Sequence, residues 1–225
     1  MVVIPAYQNA GTIGDVVKRA KMFCDAVMVV SDGSTDSTAE VAREVGARVV
    51  VHGSNLGKGE AIKHAISLAH DENFTHVVTL DGDGQHYPED LPDILSRARS
   101  APQALILGER DLLAANLPRR NRVGNAWSNF WVNLAMGTHF SDTQCGFRVY
   151  PVALMGAFRL HGSGYEFETE VLIRAKREGI SVLSVPVRVY YPPMHLRVSH
   201  FVPWRDATRI VLTVIRFLIL PRRWW

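Results

Sequence analysis

The sequence predicts an α/β domain with a mainly parallel central sheet that is covered by helices on both faces. Short apolar runs alternate with helical segments through the first 110 residues. The runs are continuously apolar, which is typical of strands buried on both faces, and the helices between them are the crossovers that parallel strands need. A chain of 225 residues suits one well-cored domain and is short for two.

The elements follow one another regularly up to residue 110. Strands are predicted for five short apolar runs: Met1–Ile4, Ala26–Val30, Ala47–Val51, His76–Leu80 and Ala104–Leu107. Helices are predicted for the segments between them: Thr12–Phe23, Thr35–Val45, Gly59–His70 and Pro88–Arg99. Gly46 ends the second helix, and a proline is tolerated at the start of the fourth.

The alternation breaks after residue 110. We predict helices at Arg122–Met136 and Glu166–Arg177, a loop or strand at Asp142–Tyr150, and another strand at Ser181–Val189. In a parallel sheet, ligands bind beyond the carboxyl ends of the strands. Polar or glycine-rich stretches follow all five of the earlier strands: Pro5–Asn9, Ser31–Asp36, His52–Lys58, Asp81–His86 and Gly108–Arg110.

The sharpest motif is Asp81-Gly82-Asp83-Gly84-Gln85-His86, directly after the fourth strand. Two carboxylates two residues apart, separated by glycine, can turn toward one hard cation, and Gln85 adds a neutral oxygen. Mg²⁺ and Mn²⁺ prefer such oxygen ligands and keep positions open for phosphate oxygens. The alternative is an acidic turn that caps the helix beginning near Pro88.

Two further loops have polar groups suited to a nucleotide. Asp32, after the second strand, can accept hydrogen bonds from a base or a ribose hydroxyl. Asp36 fits better as a charge in the first turn of a helix. Lys58 lies between two glycines at the start of a helix, where an anion is favoured, although the P-loop spacing is absent.

The order of these motifs resembles glycosyltransferase family 2, in the branch of the dolichyl-phosphate and polyprenyl-phosphate sugar transferases. The resemblance runs from residue 2 to about 190 through seven segments: Val3–Tyr7, Asp32–Asp36, Asn55–Gly59, Leu80–His86, Gly108–Arg110, Asp142–Arg148 and Gly164–Glu168. It implies the GT-A fold, a UDP- or GDP-sugar donor and inversion at the anomeric carbon. Ser31 and Cys145 depart from the acid and the serine that are common in the family.

The resemblance also implies roles for individual residues. The metal and diphosphate group would be Asp81, Asp83 and Gln85, with Mg²⁺ or Mn²⁺ as the cofactor. The nucleotide-sugar would be bound by Pro5, Tyr7, Asp32, Lys58, Asp81, Asp83 and Arg110. A basic cluster before a helix resembles the place where such enzymes hold an acceptor phosphate, and it consists of Arg119, Arg120 and Arg122.

The acceptor decides whether a base is needed. A phosphate is already an anion, so it needs none, whereas a hydroxyl requires a carboxylate to take its proton. Asp142 is the candidate base, with Glu166 behind it, and a structural hydrogen bond to the loop at 146–148 is the alternative for Asp142. Arg148 is a further catalytic, anion-binding candidate. We expect transfer of a single sugar, since the Gln-x-x-Arg-Trp signature of processive synthases is absent.

The C-terminal part of the chain is strongly basic. Residues 187–225 contain seven arginines and one acid, a net charge of +6 in a chain of +3. We therefore separate a GT-A catalytic domain, residues 1–190, from a basic amphipathic segment, residues 191–225. This segment is predicted to lie against a membrane surface as a helix with aromatic anchors, or else to pack on the protein's own core or on a second subunit.

Other function classes fit less well. A haloacid dehalogenase-like phosphatase also uses Asp-x-Asp, but after its first strand, and the glycine fingerprint of dinucleotide-binding enzymes is absent. The sequence predicts no signal peptide, no membrane-spanning helix and no nucleic-acid partner. Two distant cysteines, Cys24 and Cys145, suit a reducing compartment, so we expect a cytoplasmic protein at the inner face of a membrane.

Overall fold

The protein is described by a computed structural model that covers residues 1–111, 119–191 and 203–219, with side chains from residue 124 in the second range and from residue 205 in the third. Within these ranges, seven strands form one sheet. The strands are β1 (Val2–Ala6), β2 (Val27–Asp32), β3 (Arg48–His52), β4 (His76–Thr79), β5 (Leu105–Arg110), β6 (Arg148–Pro151) and β7 (Val182–Val187).

The sheet is mainly parallel, as the sequence predicts. Its strand order is β3-β2-β1-β4-β6-β5-β7. Only β6 runs against its neighbours, pairing antiparallel with β4 and β5, while the other described pairs are parallel. The carboxyl ends of β1, β2, β4 and β5 therefore lie along one edge, and the loop before β6 enters at the same edge.

Helices cover both faces of the sheet, which confirms the predicted layering. They are α1 (Ile13–Lys21), α2 (Thr38–Glu44), α3 (Lys58–Asp71), α4 (Leu91–Ser100), α5 (Arg119–Met136), α6 (Val152–Ala157), α7 (Glu166–Arg177) and α8 (Pro203–Ile219). Helices α1, α2 and α4 pack on one face, and α3 with α5 through α8 pack on the other. Each face buries a separate cluster of aliphatic side chains, so burial of apolar surface holds the helices against the sheet.

The predicted elements are present with small shifts at their ends. Gly46 does end α2, with a φ of +81° that an L-residue rarely adopts. The predicted helix at Pro88 begins as a short 3-10 turn, Pro88–Asp90, before α4. The short helix α6 was not expected. The stretch left open as loop or strand contains both, because β6 begins only at Arg148.

Helix α8 packs on the protein's own core, one of the alternatives that the sequence left open. Its buried side chains Ile210, Val214 and Phe217 face α5 and α7. Its other faces expose Leu212, Ile215, Leu218 and Ile219 to the outside. The helix is therefore anchored to the sheet's helical layer along one stripe and leaves an apolar surface outside it.

Candidate active site

A cleft of about 910 Å³ opens at the carboxyl edge of the sheet. It brings together predicted site residues from five separate loops and strand ends, namely Pro5, Tyr7, Asp32, Lys58, Asp81, Asp83, Gln85 and Arg110. Such a polar cleft at a strand-end edge is where open α/β sheets bind ligands. The roles assigned to these residues stay predictions.

Asp81 lies at the centre of the charged groups. One of its oxygens, Oδ1, is 2.6 Å from the ammonium of Lys58, and its backbone N–H donates to His86 Nδ1 at 3.3 Å. Burial would raise the pKa of Asp81. The positive charge of Lys58, together with His86, outweighs burial and lowers the pKa of Asp81 to about 2. Asp81 is therefore an anion at neutral pH.

Asp83 has the opposite electrostatic environment. Burial, reinforced by repulsion from Asp81, raises the pKa of Asp83 to about 6. Its Oδ1 accepts the backbone N–H of Gln85 at 2.9 Å, which holds the carboxylate in the turn. Two neighbouring acids in a partly desolvated cleft repel each other, and a bound cation would relieve that repulsion.

The donor set fits a magnesium- or manganese-type ion rather than a metal in a closed protein cage. Among the described residues, no group of three or more His, Cys, Asp or Glu side chains could hold a metal. Asp81 and Asp83 supply two carboxylates, and Gln85 is close in the chain as an amide. Mg²⁺ is usually held by one or two carboxylates plus substrate phosphates, so this donor set is compatible with such an ion.

His86 is a buried neutral base beside the two acids. Burial lowers the pKa of His86 to about 4, so the ring is uncharged at neutral pH. Its Nε2 lies 3.6 Å from the thiol of Cys145, whose pKa burial raises to about 12. Cys145, which departs from the family pattern, is thus a neutral partner of this histidine rather than a reactive thiolate.

Asp32 ties the loop after β3 to the cleft. Its Oδ1 accepts the backbone N–H of Leu56 at 3.0 Å and lies 2.7 Å from His52 Nδ1. Its Oδ2 accepts the N–H of Gly57 at 2.7 Å, just before α3 begins. Gly57 has a φ of +104°, which glycine adopts without strain. Asp32 thereby fixes the approach of Lys58 to the cleft.

Arg110 and Asp142 form a buried bidentate ion pair. Arg110 Nε and Nη2 lie 2.5 Å and 3.0 Å from the two oxygens of Asp142, which also accept two backbone N–H groups. Asp142 is 0% exposed and is not part of the cleft wall. The geometry therefore favours a structural role for Asp142 over that of a base, but through Arg110 and Gln144 and not through the predicted hydrogen bond to the loop at 146–148.

Arg148 and Glu166 also have structural partners. The guanidinium of Arg148 is fully buried and donates to the backbone carbonyls of Cys145, Thr143 and Glu168. These carbonyls and its burial leave Arg148 away from the cleft, so the geometry does not favour the predicted anion site there. Glu166 Oε1 accepts N–H groups from the loop at 163–164, just before α7.

The side chains of the predicted acceptor arginines are not described, and several residues that do line the cleft were not identified from the sequence. The side chains of the predicted acceptor cluster, Arg119, Arg120 and Arg122, lie outside those that the structure describes, although α5 begins at Arg119. Helix α8 instead brings Arg205 and Arg209 to the cleft, and Tyr165 and Tyr191 join them. The sequence predicts a basic amphipathic helix in this part of the chain, but no local pattern indicates that its arginines reach the cleft.

Sequence comparisons point to one family. The profile described as Glycosyl transferase family 2 matches residues 1–157. The dolichyl-phosphate hexose transferase of Haloferax volcanii is 33% identical, over 83% of this chain and 80% of that protein. The UDP-N-acetylglucosamine–dolichyl-phosphate N-acetylglucosaminyltransferase of Methanococcus voltae is 26% identical, over 84% of each chain.

A solved structure shares the architecture. The glucosyl-3-phosphoglycerate synthase of Mycobacterium tuberculosis, crystallised with Mn²⁺, uridine diphosphate and phosphoglyceric acid, superposes with a TM-score of 0.75. The match covers 98% of this chain and 78% of that one at 21% identity. At this identity the likeness shows the fold, which is the GT-A fold.

Proposed function

This chain belongs to glycosyltransferase family 2, and from that premise we propose that it moves a single sugar from a UDP- or GDP-sugar to a lipid phosphate. The transfer inverts the anomeric carbon and depends on Mg²⁺ or Mn²⁺. The observation that carries the proposal is the pair Asp81 and Asp83 in one cleft with Lys58 and Arg110. Relatives named for dolichyl-phosphate transfer support the acceptor class.

The chemical difficulty is the negative charge that builds on the departing diphosphate. A divalent cation held by Asp81, Asp83 and Gln85 would supply Lewis-acid stabilisation of that charge. Lys58 and Arg110, which line the same cleft, would donate N–H groups to the diphosphate oxygens. Arg110 is held rigidly by Asp142, so its guanidinium needs little reorganisation to serve in this way.

The acids of the cleft favour a phosphate acceptor over a hydroxyl. Among the described residues that line it, the acids are Asp32, Asp81, Asp83 and Asp206. Asp32 is engaged by His52 and two backbone N–H groups, and Asp206 is paired with Arg205 at 2.9 Å. Asp81 and Asp83 are assigned to the metal. No acid in this set is left to act as a base, and an anionic acceptor needs none.

A lipid acceptor implies contact with a membrane surface, which we also propose. Helices α5 and α8 pack together and expose large apolar side chains: Trp127, Phe130, Leu134, Leu212, Ile215, Leu218 and Ile219. Exposed apolar and aromatic groups beside basic residues suit the interfacial region of a bilayer. In the part of the chain that the structure describes, no helix is long and apolar enough to span one.

The proposal is tested by assaying transfer from UDP- and GDP-sugars to polyprenyl phosphate and to the matching polyprenol, with Mn²⁺, Mg²⁺ or a chelator. We expect product on the phosphate only, and only with metal. Asp83→Ala should lower the rate at least about a hundredfold, since it removes a metal ligand. The matched control is Asp93→Ala, an exposed acid on α4, which should keep full activity.

Three results would contradict the proposal. One is equal transfer to the polyprenol, which would restore the hydroxyl alternative. The second is normal turnover in the Asp83 variant, which would remove the metal assignment. The third is phosphate release from simple phosphoesters without sugar transfer.

A further inference from the structure

We propose that the ammonium of Lys58 competes with the divalent cation for Asp81, and that Glu168 is the positioning residue that holds the ammonium when the cation binds. This inference rests on the proposed function, since it concerns the same cleft. It adds a role for Glu168 and an order of binding, in which the metal enters together with the nucleotide diphosphate.

Lys58 bridges two carboxylates from distant parts of the chain. Its Nζ lies 2.6 Å from Asp81 Oδ1 and 3.1 Å from Glu168 Oε1. The lysine begins α3, Asp81 follows β4, and Glu168 belongs to the first turn of α7. The side chain of Lys58 is 13% exposed, and the centre of the Tyr165 ring lies 5.7 Å from its Nζ. The ammonium is therefore held at a defined place beside a proposed metal ligand.

The space around Asp81 is confined by Gly146. A methyl group built on Gly146 would lie 2.5 Å and 2.7 Å from the two oxygens of Asp81, and 2.7 Å from Lys58 Nζ. The backbone thus closes one side of the ion pair. With that side closed, an ammonium and a divalent cation on one carboxylate lie close together and repel each other. Metal binding at Asp81 requires the ammonium to retreat.

Glu168 provides the place to which Lys58 can retreat. Its side chain is 7% exposed, and loss of the direct ion-pair partner of a buried carboxylate is costly. Lys58 therefore stays in the cleft when Asp81 turns to the metal, instead of swinging into solvent. There it would face the diphosphate oxygens that arrive with the nucleotide. The two cations then share a larger set of anions, and their competition is relieved.

The arrangement predicts weak metal binding without nucleotide and stronger binding with it. The test measures Mn²⁺ binding to the full chain in the absence of nucleotide. Binding is monitored by the loss of the electron paramagnetic resonance signal of free Mn²⁺. Lys58→Met should bind Mn²⁺ about tenfold more tightly than the wild type, because the competing charge is gone. The matched control Lys63→Met removes a lysine of the same helix, one paired with Glu60, and should change nothing.

A double-variant cycle separates positioning from a simple field effect. Glu168→Gln alone should weaken Mn²⁺ binding, because Lys58 then has only Asp81 as a partner. In the Lys58→Met background, Glu168→Gln should have no further effect, since Glu168 acts through the lysine. The double variant also removes both charges of the buried pair, so it remains informative if Lys58→Met alone does not fold.

The outcomes are distinct from those that test the proposed function. Equal or weaker Mn²⁺ binding by Lys58→Met and by the double variant would overturn the inference, as would additive effects of the two substitutions. Adding UDP or GDP should tighten Mn²⁺ binding to the wild type. If neither nucleotide does so, the proposed function fails, whatever the lysine variants show.

Discussion

Charged side chains at the edge of this sheet divide into those that face the cleft and those that hold the loops around it. Asp81 and Asp83 face the cleft, whereas Asp142 and Arg148 are fully buried and bonded to protein groups. The sequence identified the first pair because two acids directly after a buried strand lie at the ligand edge. The sequence could not show that Asp142 and Arg148 are buried away from the cleft, because residue type gives charge but not burial.

Glu168 and Arg205 illustrate what residue-level reasoning from the sequence misses, because Glu168 lies in a segment that resembles the family and yet neither residue was assigned to the cleft. Both lie near Asp81 or its cleft, yet they follow it by roughly 90 and 120 residues along the chain. No local pattern links them to the strand-end loops. Their contribution depends on how α7 and α8 pack, which the periodicity of either helix does not specify.

The Arg110–Asp142 pair gives a prediction for stability. Asp142→Asn should lower the free energy of unfolding at pH 7 by about 3 kcal/mol or more, because Arg110 would be left buried without its counter-ion. Burial would raise the pKa of Asp142, but Arg110 outweighs it and holds that pKa below its usual value. The measurement is urea unfolding of both proteins between pH 3 and pH 7, about the range where carboxylates titrate.

The pH dependence has a defined sign. A carboxylate with a lowered folded pKa stabilises the protein above its unfolded pKa of about 3.9, and this contribution is lost as pH falls through the folded pKa. The difference between wild type and Asp142→Asn should therefore be constant near neutrality and shrink at the acid end. A difference that grows on acidification would contradict the assigned role.

At the scale of elements, the parallel units were predictable and the antiparallel strand was not. Strands β1 to β5 and helices α1 to α4 repeat a local pattern that the sequence displays directly. Strand β6 has four residues and lies between β4 and β5. Its formation as a strand depends on pairing with residues about 40 to 70 positions away in the chain. Its antiparallel entry places the loop at 141–147 behind the cleft wall, where Gly146 lies against Asp81 and Asp142 against Arg110.

Helix α8 combines an anchoring stripe with an outer apolar face, and its two sides should respond differently to substitution. Phe217 is 2% exposed and packs near Arg174 and Arg177, whereas Leu218 is 45% exposed. Phe217→Ala should cost about 3 kcal/mol in unfolding free energy, as for other buried aromatic truncations. Leu218→Ser should leave stability within about 0.5 kcal/mol but weaken binding to anionic vesicles.

Chemical unfolding measures the stability loss in Phe217→Ala, and vesicle sedimentation measures the membrane binding of Leu218→Ser. Met22→Ser is the control for vesicle binding, because Met22 is exposed just after α1, which packs on the opposite face of the sheet. Vesicle binding that falls equally in the Met22 and Leu218 variants would contradict a membrane face on α8. An unchanged stability in Phe217→Ala would contradict the docking of the helix.

At the scale of the whole molecule, two helical layers serve to place five loops along one edge of a sheet. The layering and the general location of the cleft followed from the hydrophobic pattern and from the alternation of strands and helices along the chain, both of which the sequence displays locally. The contribution of α8 to the cleft wall did not, because a basic amphipathic helix is compatible with a membrane, a partner or the protein's own core. Burial of Ile210, Val214 and Phe217 shows that one side of the helix packs on the protein's own core, while its other side stays exposed.

The central claim is that Asp81 and Asp83 hold a divalent cation against a nucleotide diphosphate. Crystals grown with Mn²⁺ and UDP or GDP, and measured at the manganese absorption edge, test it most directly. The account predicts an anomalous peak in contact with both carboxylates and with diphosphate oxygens. Nucleotide bound in the cleft with no manganese peak at these two side chains would contradict it.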